Sequence, residues 1–175
     1  MIALLFALNS AWAGSHAGVS LPDSAKAGDT ALVLNGMGLR EKYMLDIYVA
    51  GLYLESKSSD AQAIIDADEA KQLVMVLKMD LGKDKLSESI TEAVAGKGLS
   101  AEAMKGINQI AAWMTDVSEG DKVILEYVPG TGTSLYIRGQ KKGTVQGFEV
   151  AKGLFAIYLG NPPVTKDLKN GLLGK

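Results

Sequence analysis

Apolar and polar positions along this chain separate strand-like from helix-like segments. Residues 31–34 (ALVL) predict a short strand, and Asn35-Gly36 predicts the turn that ends it. Residues 43–54 (YMLDIYVAGLYL) are aromatic and β-branched, with apolar residues on both faces. That pattern predicts a long strand, central in a sheet covered on both sides, with Gly51 at a bulge or a close backbone approach. Residues 60–67 suit a short helix, and residues 73–77 (LVMVL) a second buried strand. The period then changes. Leu86, Ile90, Ala93 and Val94 fall at i, i+4, i+7 and i+8, one face of a helix over residues 85–94 that Gly96 and Gly98 end. Ser100 is a good N-cap for the next helix, whose stripe is Ala103, Ile107, Ile110, Ala111 and Met114. Residues 122–128, 133–138 and 143–147 predict a three-strand meander, turning at Pro129-Gly130 and over residues 139–142. Residues 148–159 read as a helix apolar on most sides, stopped by Asn161-Pro162-Pro163, with Thr165 capping a last helix to Leu173. Residues 19–28 read as a polar lead-in. This order predicts an α+β fold, helices layered on a mostly antiparallel sheet.

The bulk properties narrow the chemistry. At 175 residues, 47% apolar and 22% charged, the chain suits one domain with a full core. A short apolar run at residues 2–8 and the small-x-small pattern Ala11-Trp12-Ala13 read as a secretory signal over residues 1–13, with cleavage as late as residue 17. The domain is then residues 18–175, and the expected location is the periplasm or outside the cell, without a stable membrane anchor. Net charge is −2 and no basic tract or basic-aromatic patch occurs, which argues against nucleic acid as a partner. There are no cysteines, which excludes disulfides, thiolate metal sites and cysteine nucleophiles. The one histidine, His16, lies within or just after the signal, so His metal sites and Ser-His-Asp catalysis fall as well. No cofactor or metal is expected.

Gly36-Met-Gly38 is a fragment of a dinucleotide fingerprint, but Glu41 stands at the third glycine position and a strand follows, so that reading is rejected. Residues 130–133 lack the Lys-Ser/Thr of a phosphate loop and read as a hairpin turn. Arg40 carries more information. An always-charged guanidinium just ahead of an apolar strand is costly unless an anion meets it. Candidates are Glu41, Asp46 or a ligand. Asp46 shares a face with Tyr48 if the strand pairing is regular.

Asn35, Gly36, Gly38, Arg40 and Lys42, followed by Tyr48, Ala50, Leu52, Tyr53 and Leu54, resemble the opening segment of the chalcone-isomerase-like superfamily, in particular its exported bacterial branch. Gly120-Asp121, the run from Pro129 to Thr133, Gly143, Gly147-Phe148, the run from Leu159 to Pro163 and Leu172-Leu173-Gly174 extend the resemblance over residues 30–174. The resemblance implies an open-faced β-sandwich: a large antiparallel sheet, a helix layer on one face, and a cleft between them. In the plant enzymes an Arg, a Thr, a helical Tyr and an Asn act on a chalcone in that cleft. Carried over, these positions are Arg40, Tyr48, Leu86 and Ala93.

Leu86 and Ala93 offer no donors, so the loss of polarising groups disfavours chalcone cyclisation. The Arg-Tyr pair is instead similar to that of the superfamily's non-catalytic fatty-acid-binding members, where it holds a carboxylate. Arg40 and Tyr48 would contribute ~2–4 kcal/mol net. A tail of about ten methylenes, at ~0.8 kcal/mol each, would contribute roughly twice that before ordering costs. The expected function is therefore non-enzymatic binding of a small amphipathic ligand, a fatty-acid-like carboxylate, by Arg40, Tyr48, Leu86 and Ala93. The alternatives are an isomerase (intramolecular lyase) on another substrate, and an envelope protein with a filled cleft. A continuous apolar cavity ending at Arg40 and Tyr48 separates the binding reading from the filled cleft.

Overall fold

The computed structural model describes residues 12–175; the apolar run at residues 2–8, on which the signal reading rests, lies outside the described residues. A hairpin of β1 (Trp12–His16) and β2 (Val19–Pro22) comes first, and the later candidate cleavage point, Ala17, sits in its turn. Seven further strands form one antiparallel sheet in chain order: β3 (Ser24–Ala27), β4 (Thr30–Lys42), β5 (Leu45–Leu54), β6 (Lys71–Leu77), β7 (Lys122–Val128), β8 (Gly132–Ile137) and β9 (Gln140–Val145). The helices are α1 (Ala61–Asp66), α2 (Lys83–Val94), α3 (Ala101–Ala112), α4 (Phe148–Leu159) and α5 (Lys166–Leu172). The α+β architecture expected from the order of elements is the one observed.

The helix stripes cover one face of the sheet. Ile90 of α2, Ile107 and Ile110 of α3 and Leu154 of α4 share a core with Leu52, Leu73, Met75 and Leu125. Ser100 caps α3 as its position suggests, accepting from the Ala103 N–H at 3.1 Å. A carboxylate distant in sequence serves α2: Asp116 Oδ1 accepts from the Lys83 N–H at 2.9 Å. The opposite face carries a smaller core, where Leu21 of β2 covers Leu34, Tyr53, Val74 and Val76. Both faces of β5 are thereby buried. Gly51 lies on this second side without a bulge of its own; a Cβ there would come 2.4 Å from Leu21 Cδ1.

Several local expectations differ. Residues 19–28 are not a lead-in but supply β2 and β3, because Leu21 and Ala27 are buried within an otherwise polar stretch. Asn35-Gly36 is not a turn; it lies inside the thirteen-residue β4, at a register shift between Leu34 and Gly36. The true turn is Tyr43-Met44, with φ of 53° and 62°, so β5 starts at Leu45. In the meander, β9 begins at Gln140 because Arg138 and Gly139, with φ of 52° and 77°, complete the turn in two residues. Thr165 precedes α5 but its hydroxyl does not cap it; Oγ1 is buried without a hydrogen-bond partner among the described residues.

Candidate functional site

The local sequence around Arg40 is a docking platform. Asn35 donates to the carbonyls of Leu172 (2.8 Å) and Ser58 (2.9 Å), and accepts from the Ser58 N–H (2.8 Å). Gly36 and Gly38 face α5 so closely that a Cβ would lie 2.2 Å from Gly171 O and 2.7 Å from Leu168 O respectively. Only glycine lets two backbones meet at that range. The next residue on this face is Arg40. Its Nη1 donates to the carbonyls of Glu41 (3.1 Å) and Val164 (3.4 Å), the latter just ahead of α5.

Arg40 and Tyr48 stand directly opposite one another on β4 and β5. Asp46 does not join them. Arg40 pairs with Tyr48 and Glu41 with Asp46, so one step along β4 matches two along β5, and Ile47 is the extra residue of a bulge. The bulge breaks the alternation that regular pairing implies and places Asp46 beside Glu41 instead. Among the described residues Arg40 forms no ion pair. Of the two internal carboxylates weighed for it, neither is its partner.

A cavity of ≈ 380 Å³ lies between the sheet and α2. It runs from Arg40 on β4, past Tyr48 and Leu77, to Val123 on β7, a width of three strand spacings or about 14 Å. Leu86, Ile90 and Ala93 form its roof, and Met114 lines it beyond the end of α3. Thus the four residues named from the sequence, Arg40, Tyr48, Leu86 and Ala93, line one cavity. A more open groove adjoins it, sharing Glu92, Ala93, Ile157 and Val164. Met44 is 89% exposed at the hairpin tip and does not fill the cavity.

The charged residues of the cavity lining are mainly cationic: Arg40, Lys42 and Lys85 against one carboxylate, Glu92, among the described residues. Burial holds the Tyr48 phenol well above its usual pKa, the neighbouring Tyr158 raises it further, and Arg40 opposes both. Tyr158, on α4, is pushed up to about 12 by burial, with Arg40 again opposing. Both therefore stay neutral and able to donate near neutral pH. Among the described residues the Tyr158 hydroxyl meets only Met75 Sδ at 3.6 Å, a weak acceptor. Sequence reasoning missed Tyr158; its one signal was a hydroxyl within an otherwise greasy helix, which must find a partner when buried.

A family profile described as chalcone isomerase-like matches residues 13–174. The fold is also that of the crystal structure of a fatty-acid binding protein of Arabidopsis thaliana. The TM-score is 0.69 and the sequences are 20% identical, over 89% of this chain and 92% of that one. No curated protein matches the sequence.

Proposed function

From the premise that this chain belongs to the chalcone isomerase-like family, we propose that it is a non-enzymatic, exported periplasmic protein that binds a fatty-acid-like carboxylate. The observation that carries the proposal is the ≈ 380 Å³ cavity into which Arg40 and Tyr48 face side by side, with a lining otherwise mainly of apolar residues from Met75 and Leu77 to Met114 and Val123. It falls at the small end of the roughly 300–1,000 Å³ typical of small-molecule sites. At roughly 30 Å³ per water-sized group it holds about twelve heavy atoms, a medium-chain acid. Arg40 uses Nη1 on protein carbonyls and no other guanidinium donor is taken up within the described residues. A carboxylate can accept from those donors and from the neutral Tyr48 phenol, while its tail follows Leu77 and Leu86 towards Val123.

Native mass spectrometry of protein purified from its own compartment, with titration of saturated acids of increasing length, tests this. Affinity peaks near about ten carbons, since two of the roughly twelve heavy atoms are the carboxylate oxygens, and Arg40→Gln weakens it by roughly tenfold to a hundredfold. No co-purifying acid and no thermal shift with any chain length would sink it. One observation favours a second reading as an isomerase: Tyr158 adds a second neutral phenol beside Arg40, so two donors can meet one carbonyl. Flavanone formation from a chalcone, abolished by Arg40→Ala, would establish that reading instead.

A further inference from the structure

We propose that the tip of the β4–β5 hairpin docks this protein on a lipid bilayer. Tyr43 is 87% exposed, Met44 89% and Leu45 54%, three consecutive large apolar side chains at the end of a long hairpin. The first two occupy both central positions of a two-residue turn at φ of 53° and 62°, where Asn and Gly are the residues that fit. Backbone preference and water both disfavour Tyr and Met there, and no packing within the described residues accounts for them.

The shape selects the occupant. Three side chains offer a few hundred Å² at most, well short of the roughly 800 Å² per partner that a specific protein interface buries. The tip is convex and needs a medium that closes around it without a matching pocket. A bilayer interface is such a medium: Tyr sits at headgroup depth, Met and Leu enter the acyl boundary, and Lys reaches back to the phosphates. Lys42 is placed for that, its Nζ 5.5 Å from the Tyr43 ring centroid. Arg40, Glu41, Lys42 and Asp46 cancel in charge, so docking rests on apolar insertion rather than on attraction to anionic lipid. The same hairpin contributes Arg40, Lys42 and Ile47 to the cavity, so docking brings these two cations of its lining towards the headgroup layer. Uptake of a fatty acid from the bilayer by this route rests on the ligand reading above; the docking itself does not.

The experiment is co-sedimentation of the full chain with phosphatidylcholine vesicles, with and without phosphatidylglycerol, at low and high salt. The protein partitions onto both vesicle types with little salt dependence. The double variant Tyr43→Asn with Met44→Gly, which suits the turn and so folds at least as well, partitions roughly tenfold less. Its fatty-acid affinity in solution stays unchanged, which separates loss of docking from any failure of the ligand reading. Absence of partition by the unaltered protein, or equal partition by the variant, overturns the proposal. So does a dimer in size-exclusion chromatography that the double substitution dissolves without vesicle binding, which would assign the tip to a second copy.

Discussion

Lys71 keeps 2% of its surface exposed, and its ammonium donates to the carbonyls of Ile64 and Ala67 at 2.6 Å each, closing the end of α1. Burial lowers its pKa to about 8, against the opposing pull of Glu69, Asp68, Asp66 and Glu55. Above that pH the folded state has released the proton while the unfolded chain, near pKa 10.4, still holds it. The unfolded state then binds more protons, so stability rises with pH across that window, by up to about 3 kcal/mol. The sign reverses higher up: Tyr53 and Tyr158 are pushed up to about 12, so above about pH 10 the unfolded chain loses their protons first. Urea unfolding at stepped pH should show a rise from about pH 8 to about pH 10 and a fall beyond it, and Lys71→Met should abolish the rise. Lys71 begins β6 and shares a face with Leu73, Met75 and Leu77, but the strand that the sequence predicts over residues 73–77 stops short of it. The two carbonyls that satisfy its ammonium belong to another element, so no pattern within the strand announces them.

At the scale of elements, β4 and α5 explain a motif that composition only made conspicuous. Asn35, Gly36 and Gly38 read as turn and fingerprint residues; they are the bed on which the α5 backbone lies. A Cβ at Gly38 would come 2.7 Å from Leu168 O and 3.0 Å from its Cα, and backbone yields at that range only if α5 moves. Gly38→Ala should therefore cost ~2–4 kcal/mol in urea unfolding and weaken ligand binding through the displaced Val164 carbonyl. Gly82→Ala is the control, with φ of −73° and its nearest contact 3.9 Å away at Asp116; it should cost no more than about 1 kcal/mol, the ordinary effect of Ala at a helix N-cap, and leave ligand binding unchanged. The helical stripes of α2 and α3 were readable because a 3.6-residue period is local information. The bulge at Ile47 was not, because register is agreed between two strands.

Over the whole molecule, the sheet and α2 leave space between them where a closed core would have none. Ala93 borders both the cavity and its adjoining groove. Ala93→Phe should fill that space, weakening fatty-acid binding by at least about tenfold in calorimetric titration while unfolding free energy stays within about 1 kcal/mol. Equal affinity in the variant would show that the ligand lies elsewhere. A filled cleft, by contrast, would answer the same substitution with loss of stability and no change in binding.

The sequence by itself determined the α+β order, the central place of β5, the stripes of α2 and α3, and the candidates Arg40, Tyr48, Leu86 and Ala93. Periodicity and resemblance are properties of neighbouring residues and their order, and both survive without coordinates. Only the tertiary structure decided what Arg40 meets. The Ile47 bulge turns Asp46 away, α5 supplies the Val164 carbonyl, and α4 brings Tyr158 to the same cavity from more than a hundred residues along the chain. Which charges face one another depends on pairing register and on helix docking, and those are set by contacts between distant segments.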